Sequence, residues 1–247
     1  TDSYKAFKRF DIGDIIETSG YVFVTKTGEK TLHAESIRLL TKSLKPLPEK
    51  WHGLTDIEAR YRYRYVDLIA NPDVRKVFRT RSKIIRGIRR FLDDRDYIEV
   101  ETPVMANVAS GAVARPFMTH YNALHADMAL RIALELPLKK LVVGGLDRVY
   151  EIGRVFRNEG LSTKHNPEFT MLEFYQAYAR FEHLMDLTEE LICGLAQEIN
   201  GDTTLQYGDY SVDLKAPWPR ISMRDSIFEI GSIERSSIDV DKIEDLS

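Results

Sequence analysis

The chain has 247 residues, of which 43% are hydrophobic and 30% charged, enough apolar material for one large core or two smaller ones. It contains no apolar run of the roughly 18 residues that a membrane-spanning helix needs, and the single Cys193 excludes an internal disulfide. Residues 1–96 hold 21 of the 35 Lys and Arg but only 14 of the 38 Asp and Glu, so the first part of the chain is basic and the rest is acidic. This distribution predicts a polyanion near the first part and a cationic ligand near the second. The alternative is that the charges simply face solvent.

The first predicted elements are β-strands. Polar and apolar residues alternate in DIIETSGYVFVTKTG and again in EKTLHAESIRLL, and Thr27-Gly28 marks the turn between them. We expect roughly three strands of a small antiparallel barrel of the OB type, which needs about five strands to close. Residues 1–48 are therefore assigned to a partial OB-type barrel.

A linker or adaptor is predicted over residues 49–72. The stretch SLKPLPEKWHGL, residues 43–54, runs into it and contains Pro46 and Pro48, and the segment WHGLTDIEARYRYRYVDLI follows. Arginine and tyrosine alternate in that segment from Arg60 to Tyr65. Such a pattern can stack on nucleic acid, but a packed adaptor between domains is the plainer interpretation and the one we favour.

Residues 73–247 are predicted to form one α+β domain. A helix starts at Asn71-Pro72-Asp73 and presents one apolar face, and YIEVETPVM is a strand that Pro103 ends. Two more strands are predicted in LVVGGLDRVYEIGRVF and PEFTMLEFYQAYA. An amphipathic helix from Phe181 to Ile199 stops at Asn200-Gly201, with strands after Leu205 and a polar, serine-rich end.

The last two strands of that series carry the candidate chemistry. Arg157 and Glu159 share one side of the first strand, and Phe169, Glu173 and Tyr175 share one side of the second. If the strands pair through the eight-residue loop GLSTKHNP, one face presents all five side chains. An arginine fixed on a strand suits phosphate or carboxylate, whereas the carboxylates suit a cation. A structural charge network is the alternative interpretation.

The same residues resemble a known family. FRNE followed by HNPEFTMLEFYQAYA is similar to motif 2 of the class II aminoacyl-tRNA synthetases in their lysine-specific, bacterial form. RSKIIRGIRRFLDDRDYIEVETP resembles motif 1, the helix and strand of the dimer interface. PLPEKWHGLTDIEARYRYRYVDLI, SGAVARPFMTHYNAL and LRIALELPLKKLVVGGLDRVYEIGRVFRNEG extend the similarity over nearly the whole chain.

The resemblance implies an antiparallel-sheet synthetase core that activates lysine with ATP to lysyl-adenylate and transfers it to tRNA(Lys). It also implies that the partial barrel of residues 1–48 is part of an anticodon-binding domain. It further implies Mg²⁺, a homodimer formed through motif 1 and a cytoplasmic enzyme with no membrane contact. No metal ligand is expected within the chain, since His120, His125 and Cys193 lack zinc-ligand spacing.

The resemblance also implies residue roles. Arg157 would bridge the α-phosphate and the lysine carboxylate, and Glu159 would contact the adenine or the tRNA end. His165 and Asn166 would lie near the triphosphate and base, and Phe169 would stack on adenine. The expected lysine pocket is Gly111, Glu135, Arg157, Glu173 and Tyr175.

Each of these residues also has a plainer interpretation. Glu135 is equally an ordinary helix-face carboxylate beside Lys139, and His165 an exposed loop histidine. Tyr175 is equally a core residue, and Gly111 a turn residue.

The match departs from the family at a few places. Motif 3, with its second ATP-binding arginine, and the acidic residues that hold Mg²⁺ are not found, so we expect a truncated form with weak or no aminoacylation by residues 1–247 alone. Leu134 stands where the family usually has proline. Two other functions stay open: a tRNA-independent paralogue that attaches a lysine-like residue to a protein, and a non-catalytic nucleic-acid-binding or dimerising module.

Overall fold

The structure, a computed structural model, describes residues 2–45, 47–48, 53–160, 162 and 164–234. The chain divides into two compact units, residues 1–81 and residues 82–247. The long helix α4 (Pro72–Asp93) contains the boundary between them. The predicted boundaries at residues 48 and 72 stay predictions.

The first unit begins with a short helix and a hairpin. Helix α1 (Asp2–Phe7) precedes β1 (Ile15–Val24) and β2 (Lys30–Thr41), which pair antiparallel. The ladder requires glycine at residue 20, because a Cβ there would lie 1.8 Å from the carbonyl oxygen of His33. The described part of this unit has only these two strands, so the predicted partial barrel is not confirmed.

The segment in which Arg and Tyr alternate folds into two short helices, α2 (Ile57–Arg62) and α3 (Arg64–Ala70). Asp67 is fully buried and accepts hydrogen bonds from Arg60, at 2.8 Å, and from Arg64. These contacts pack the two short helices together, since a buried carboxylate requires partners. The adaptor role of the segment stays a prediction. Residues 49–52 of the predicted linker lie outside the described residues.

The second unit is built on two three-stranded sheets. One has the order β3-β7-β8, in which β3 is parallel to β7 and β7 antiparallel to β8. The other has the order β4-β6-β5 and is antiparallel. The strands are β3 (Ile98–Glu99), β4 (Met105–Ala106), β5 (Met118–Tyr121), β6 (Ala126–Leu130), β7 (Arg148–Phe156) and β8 (Glu168–Gln176).

The β7–β8 hairpin separates two small cores. On one face, Val149 and Val155 pack with Leu134 and Leu138 at the start of α5 (Glu135–Val143). On the opposite face, Tyr150 packs with Leu92 of α4 and with Leu187 of α6 (Phe181–Asn200). The hairpin is held on both faces, so it is a rigid support for the side chains at its open end.

Several predicted elements have different bounds in the structure. The strand predicted from Leu141 starts only at Arg148, because Leu141 to Val143 complete helix α5 and Gly144 and Gly145 end it. YIEVETPVM is split into β3 and β4, with Pro103 between them. Helix α6 is confirmed, and Gly201 (φ +77°) ends it in the left-handed conformation.

The end of the described chain contains the hairpin β9 (Thr204–Tyr207) and β10 (Tyr210–Asp213), followed by α7 (Met223–Glu229). The serine-rich residues 235–247 lie outside the described residues. None of the helices described here combines the length and the apolar character needed to traverse a lipid bilayer.

Candidate functional site

A cleft of ≈ 320 Å³ lies at the open end of the β7–β8 hairpin. All five residues that the sequence assigned to nucleotide binding line it. The complete lining is Arg157, Glu159, Gly160, Lys164, His165, Asn166, Pro167 and Phe169. The set combines cationic, amide and aromatic side chains, which suits a phosphorylated ligand that carries a planar ring.

Arg157 is the first residue after β7 and is fixed from two sides. Its backbone N–H donates to the carbonyl of Pro167 at 2.8 Å, which extends the ladder by one residue. Its Nε donates to the carbonyl of Ile132 at 3.3 Å, and its guanidinium carbon lies 5.2 Å from the ring centroid of Phe169. Among the described residues no acceptor meets its two terminal nitrogens, which leaves this fork available to an anion.

The loop between the strands is longer than predicted, because β7 ends at Phe156 and β8 begins at Glu168. Glu159 therefore lies in the loop, and the prediction that it shares a strand face with Arg157 is wrong, although it lines the cleft. His165 Nδ1 is 2.8 Å from the hydroxyl of Ser162. A loop histidine held in this way faces the cleft with a partly fixed ring.

Glu173 and Tyr175 project from the same face of β8 as Phe169, as their spacing predicted. Glu173 Oε1 accepts the backbone N–H of Leu134 at 3.1 Å, and Oε2 accepts the Tyr175 hydroxyl at 2.9 Å. Burial raises the pKa of Tyr175, and the neighbouring carboxylates of Glu173 and Glu135 raise it further. Tyr175 therefore remains a hydroxyl donor at neutral pH.

Glu135 begins helix α5 beside this cluster. Its carboxylate is 2.5 Å from Lys139 Nζ, and that ammonium lies 5.8 Å from the Tyr175 ring centroid. Gly111 (φ +88°) lies against it, since a Cβ on Gly111 would be 3.1 Å from the Cβ atoms of both Glu135 and Ala133. The structure thus brings together the four residues assigned to the lysine pocket besides Arg157, beside the cleft rather than in its lining.

Sequence reasoning missed a buried ion pair under the same face. Arg131 and Glu151 are 6% and 2% exposed, and their side chains meet at 2.6 Å. Glu151 lies directly across the ladder from Glu173. Two signals in the sequence were available. Glu151 lies within an apolar strand at an even spacing from Arg157, and a glycine, Gly153, lies between them.

The described residues contain no cluster of three or more His, Cys, Asp or Glu side chains placed to hold a metal ion. The residues present therefore do not by themselves fit a protein-held Mg²⁺. Arg157 and Lys164 supply positive charge at the cleft instead.

Comparison with known proteins identifies the family of the chain and shows how much of its relatives' length the chain covers. The family model described as tRNA synthetases class II (D, K and N) matches residues 56–244. The lysine–tRNA ligase of Bacillus subtilis (strain 168) is 57% identical over 233 residues, which are 94% of this chain and 47% of that protein. The lysine–tRNA ligase of Pelotomaculum thermopropionicum is 61% identical over 226 residues, which are 92% of this chain and 45% of that protein.

A third relative covers slightly more of the chain. The lysine–tRNA ligase of Clostridium acetobutylicum (strain ATCC 824) is 54% identical over 241 residues, which are 98% of this chain and 47% of that protein. The chain therefore spans about half the length of the curated relatives it matches.

Proposed function

This chain belongs to the class II tRNA synthetases (D, K and N), and on that basis we propose that it activates lysine with ATP and transfers the product to tRNA(Lys). One observation carries the proposal: residues 132–135 contact both halves of the site. The carbonyl of Ile132 accepts from Arg157 in the cleft, while Leu134 N–H and Glu135 belong to the acidic cluster. An anion-binding arginine beside an acidic pocket suits a nucleotide next to a cationic amino acid.

The proposed reaction needs no nucleophilic side chain. A carboxylate oxygen of lysine attacks the α-phosphorus of ATP, the bond to the β-phosphate oxygen breaks, and pyrophosphate leaves with its electron pair. Catalysis is then positioning and neutralisation of the charge that develops on the α-phosphate. We assign the neutralisation of that charge to Arg157 and the stacking on adenine to the ring of Phe169. The remaining nucleotide contacts are assigned to Glu159, His165 and Asn166.

Lysine selection is assigned to the acidic cluster. Glu135 would accept the substrate ammonium, Glu173 and Tyr175 would complete the pocket wall, and Gly111 would leave the space that a side chain would fill. A substrate without the ammonium would form no charge-assisted bond to Glu135, which would stay paired with Lys139. The lost bond is worth about 1.5–3 kcal/mol, or roughly 10- to 10²-fold in selectivity.

Mg²⁺, a homodimer through motif 1 and a cytoplasmic location belong to the proposal because of the family resemblance alone. The described residues offer no three-ligand cluster for Mg²⁺, so no step above passes through it. A bound Mg²⁺ would supply positive charge that offsets the negative charge of the phosphates.

Lysine-dependent exchange of pyrophosphate into ATP, followed by charging of tRNA(Lys), tests the function in the protein expressed from its complete reading frame. Exchange that requires lysine, and is not supported by aspartate or asparagine, is the expected result. Exchange without tRNA charging would favour the tRNA-independent paralogue. RNA binding without any exchange would favour the non-catalytic module and refute the proposal.

Replacement of Lys139 by methionine is expected to lower the KM for lysine about twofold, because the substrate ammonium no longer has to displace an i,i+4 partner from Glu135. The kcat of exchange should not change. Lys140→Met is the matched control, since it removes the same charge from the next residue of the helix, which has no ion pair in the described structure. A higher KM for Lys139→Met would mean that Lys139 supports Glu135 instead of competing for it.

Replacement of Gly111 by alanine is expected to raise the KM for lysine about tenfold and to lower the free energy of unfolding by about 1 kcal/mol. The new Cβ would press on Glu135 at 3.1 Å, and alanine also resists the left-handed φ of +88°. Gly145→Ala is the control, because its φ is +101° but nothing lies within 4 Å of its Cβ. A similar stability loss in both variants with equal lysine KM values would rule out the steric role of Gly111.

A further inference from the structure

The buried ion pair between Arg131 and Glu151 lies on the face of the hairpin that carries the candidate site. Glu151, Gly153 and Val155 alternate along that face of β7, and Arg157 is the first residue after the strand. A Cβ on Gly153 would be 2.3 Å from Arg131 Nη2 and 2.8 Å from Glu151 Oε1. The guanidinium of Arg131 thus occupies the place of a side chain between Glu151 and the cleft.

The hydrogen bonds of the pair are satisfied within the protein. Arg131 donates to the carbonyls of Thr102, at 2.9 Å, and Arg154, at 2.8 Å. Glu151 Oε2 accepts from the Thr102 hydroxyl at 2.6 Å and from the Thr102 backbone N–H at 3.2 Å. The pair therefore ties together the end of β6, strand β7 and the segment after β3.

The backbone on either side of Arg131 holds the site residues. The Arg131 carbonyl accepts the Phe156 N–H at 2.9 Å, and the next carbonyl, that of Ile132, accepts Arg157 Nε. Leu134 N–H donates to Glu173. A shift of residues 131–134 would move the partners of both Arg157 and Glu173 at once.

The pair also separates two like charges. Glu151 and Glu173 lie directly opposite each other in the antiparallel ladder, where like charges destabilise one another. Arg131 neutralises Glu151 at 2.6 Å and leaves Glu173 to accept from Leu134 and Tyr175. A neutral side chain at residue 131 would supply the packing without this separation.

We propose that Arg131 and Glu151 form a positioning pair that holds residues 131–134 so that Arg157 and Glu173 keep their working geometry. The role rests on the proposed activation of lysine, and neither residue touches substrate. A pair that serves stability alone would change only the amount of folded protein. A positioning pair changes the rate of each folded active site.

The test uses Arg131→Lys in the protein from its complete reading frame, with active sites counted by the burst of adenylate formation. We expect kcat of exchange per active site to fall about 10- to 100-fold, well below the melting temperature, because lysine keeps the charge but not the fork. The kcat per active site of Glu151→Gln should fall by a similar factor. The double variant should lose little more than the larger single loss, because both changes break one unit.

Asp67→Asn is the matched control. It also breaks a buried carboxylate–arginine contact, at 2.8 Å to Arg60, but one that belongs to the first compact unit, whereas the residues that line the cleft belong to the second. Its melting temperature should fall while kcat per active site stays within about twofold of the wild type. A separate variant, Thr102→Val, removes only the bridging hydroxyl and should lower kcat several-fold, so it carries the test if Arg131→Lys does not fold.

Two outcomes overturn the proposal separately. Normal wild-type exchange with unchanged kcat per active site in Arg131→Lys, or in Thr102→Val where only that variant folds, would refute the positioning role and leave the proposed function intact. No lysine-dependent exchange in the wild type would refute the proposed function, and the positioning role with it.

Discussion

Replacement of Arg157 by alanine is expected to lower lysine-dependent ATP–pyrophosphate exchange by about 10³-fold or more, with little loss of folded protein. The guanidinium is the cationic group fixed at the start of the cleft, and its terminal nitrogens meet no acceptor among the described residues. The strand does not depend on it, because the ladder bond to Pro167 comes from the backbone N–H.

Arg154→Ala is the control for that experiment. Arg154 lies three residues earlier in β7, pairs with Thr170 and projects to the other face of the hairpin. It should leave exchange within about twofold of the wild type, since an exposed charge away from the site contributes little. Equal rates for Arg157→Ala and Arg154→Ala would remove Arg157 from the mechanism, and thermal melts would show whether either variant unfolds.

Much of the site follows from local pattern. Alternation along a strand places Phe169, Glu173 and Tyr175 on one face. Helix α6 is equally local, because its apolar spacing and the glycine that ends it lie within one segment. These predictions required no knowledge of distant contacts.

The features that sequence reasoning missed are long-range. Arg131 and Glu151 are twenty positions apart in the chain, and Thr102 is further from both. The local sequence pattern therefore does not predict that the two charged side chains form a buried pair. Leu141 to Val143 are apolar and suit either a strand or a helix, and the packing of Leu138 in the core decides for the helix. The proximity of Gly111 to Glu135 was expected only from the family resemblance.

The difference between local and long-range information also explains why the strands were predicted correctly but the partial barrel was not confirmed. Alternation predicted strands over residues 11–40, and two strands formed there. Alternation does not indicate how many strands a sheet has or whether the sheet closes into a barrel, because closure depends on partner strands elsewhere in the chain. The partial-barrel assignment required that second kind of information.

Replacement of Glu135 by glutamine is expected to lower kcat/KM for lysine about 100-fold, because the substrate ammonium would be buried against a neutral amide. The side chain is almost isosteric, so the contact with Gly111 is preserved. Norleucine, which lacks the ammonium, should gain relative to lysine. The measurement is the ratio of lysine- to norleucine-dependent exchange, in the wild type and in the variant.

The freed Lys139 is the confounding group in that experiment, because its ammonium lies 2.5 Å from Glu135 and near the ring of Tyr175. The double variant Glu135→Gln with Lys139→Met removes it. If Glu135 binds the substrate, the double variant should be as poor with lysine as Glu135→Gln alone. Recovery of lysine use in the double variant would mean that the activity loss of the single variant comes from the unpaired Lys139. Another carboxylate, such as Glu173 beside the Tyr175 hydroxyl, would then receive the substrate ammonium.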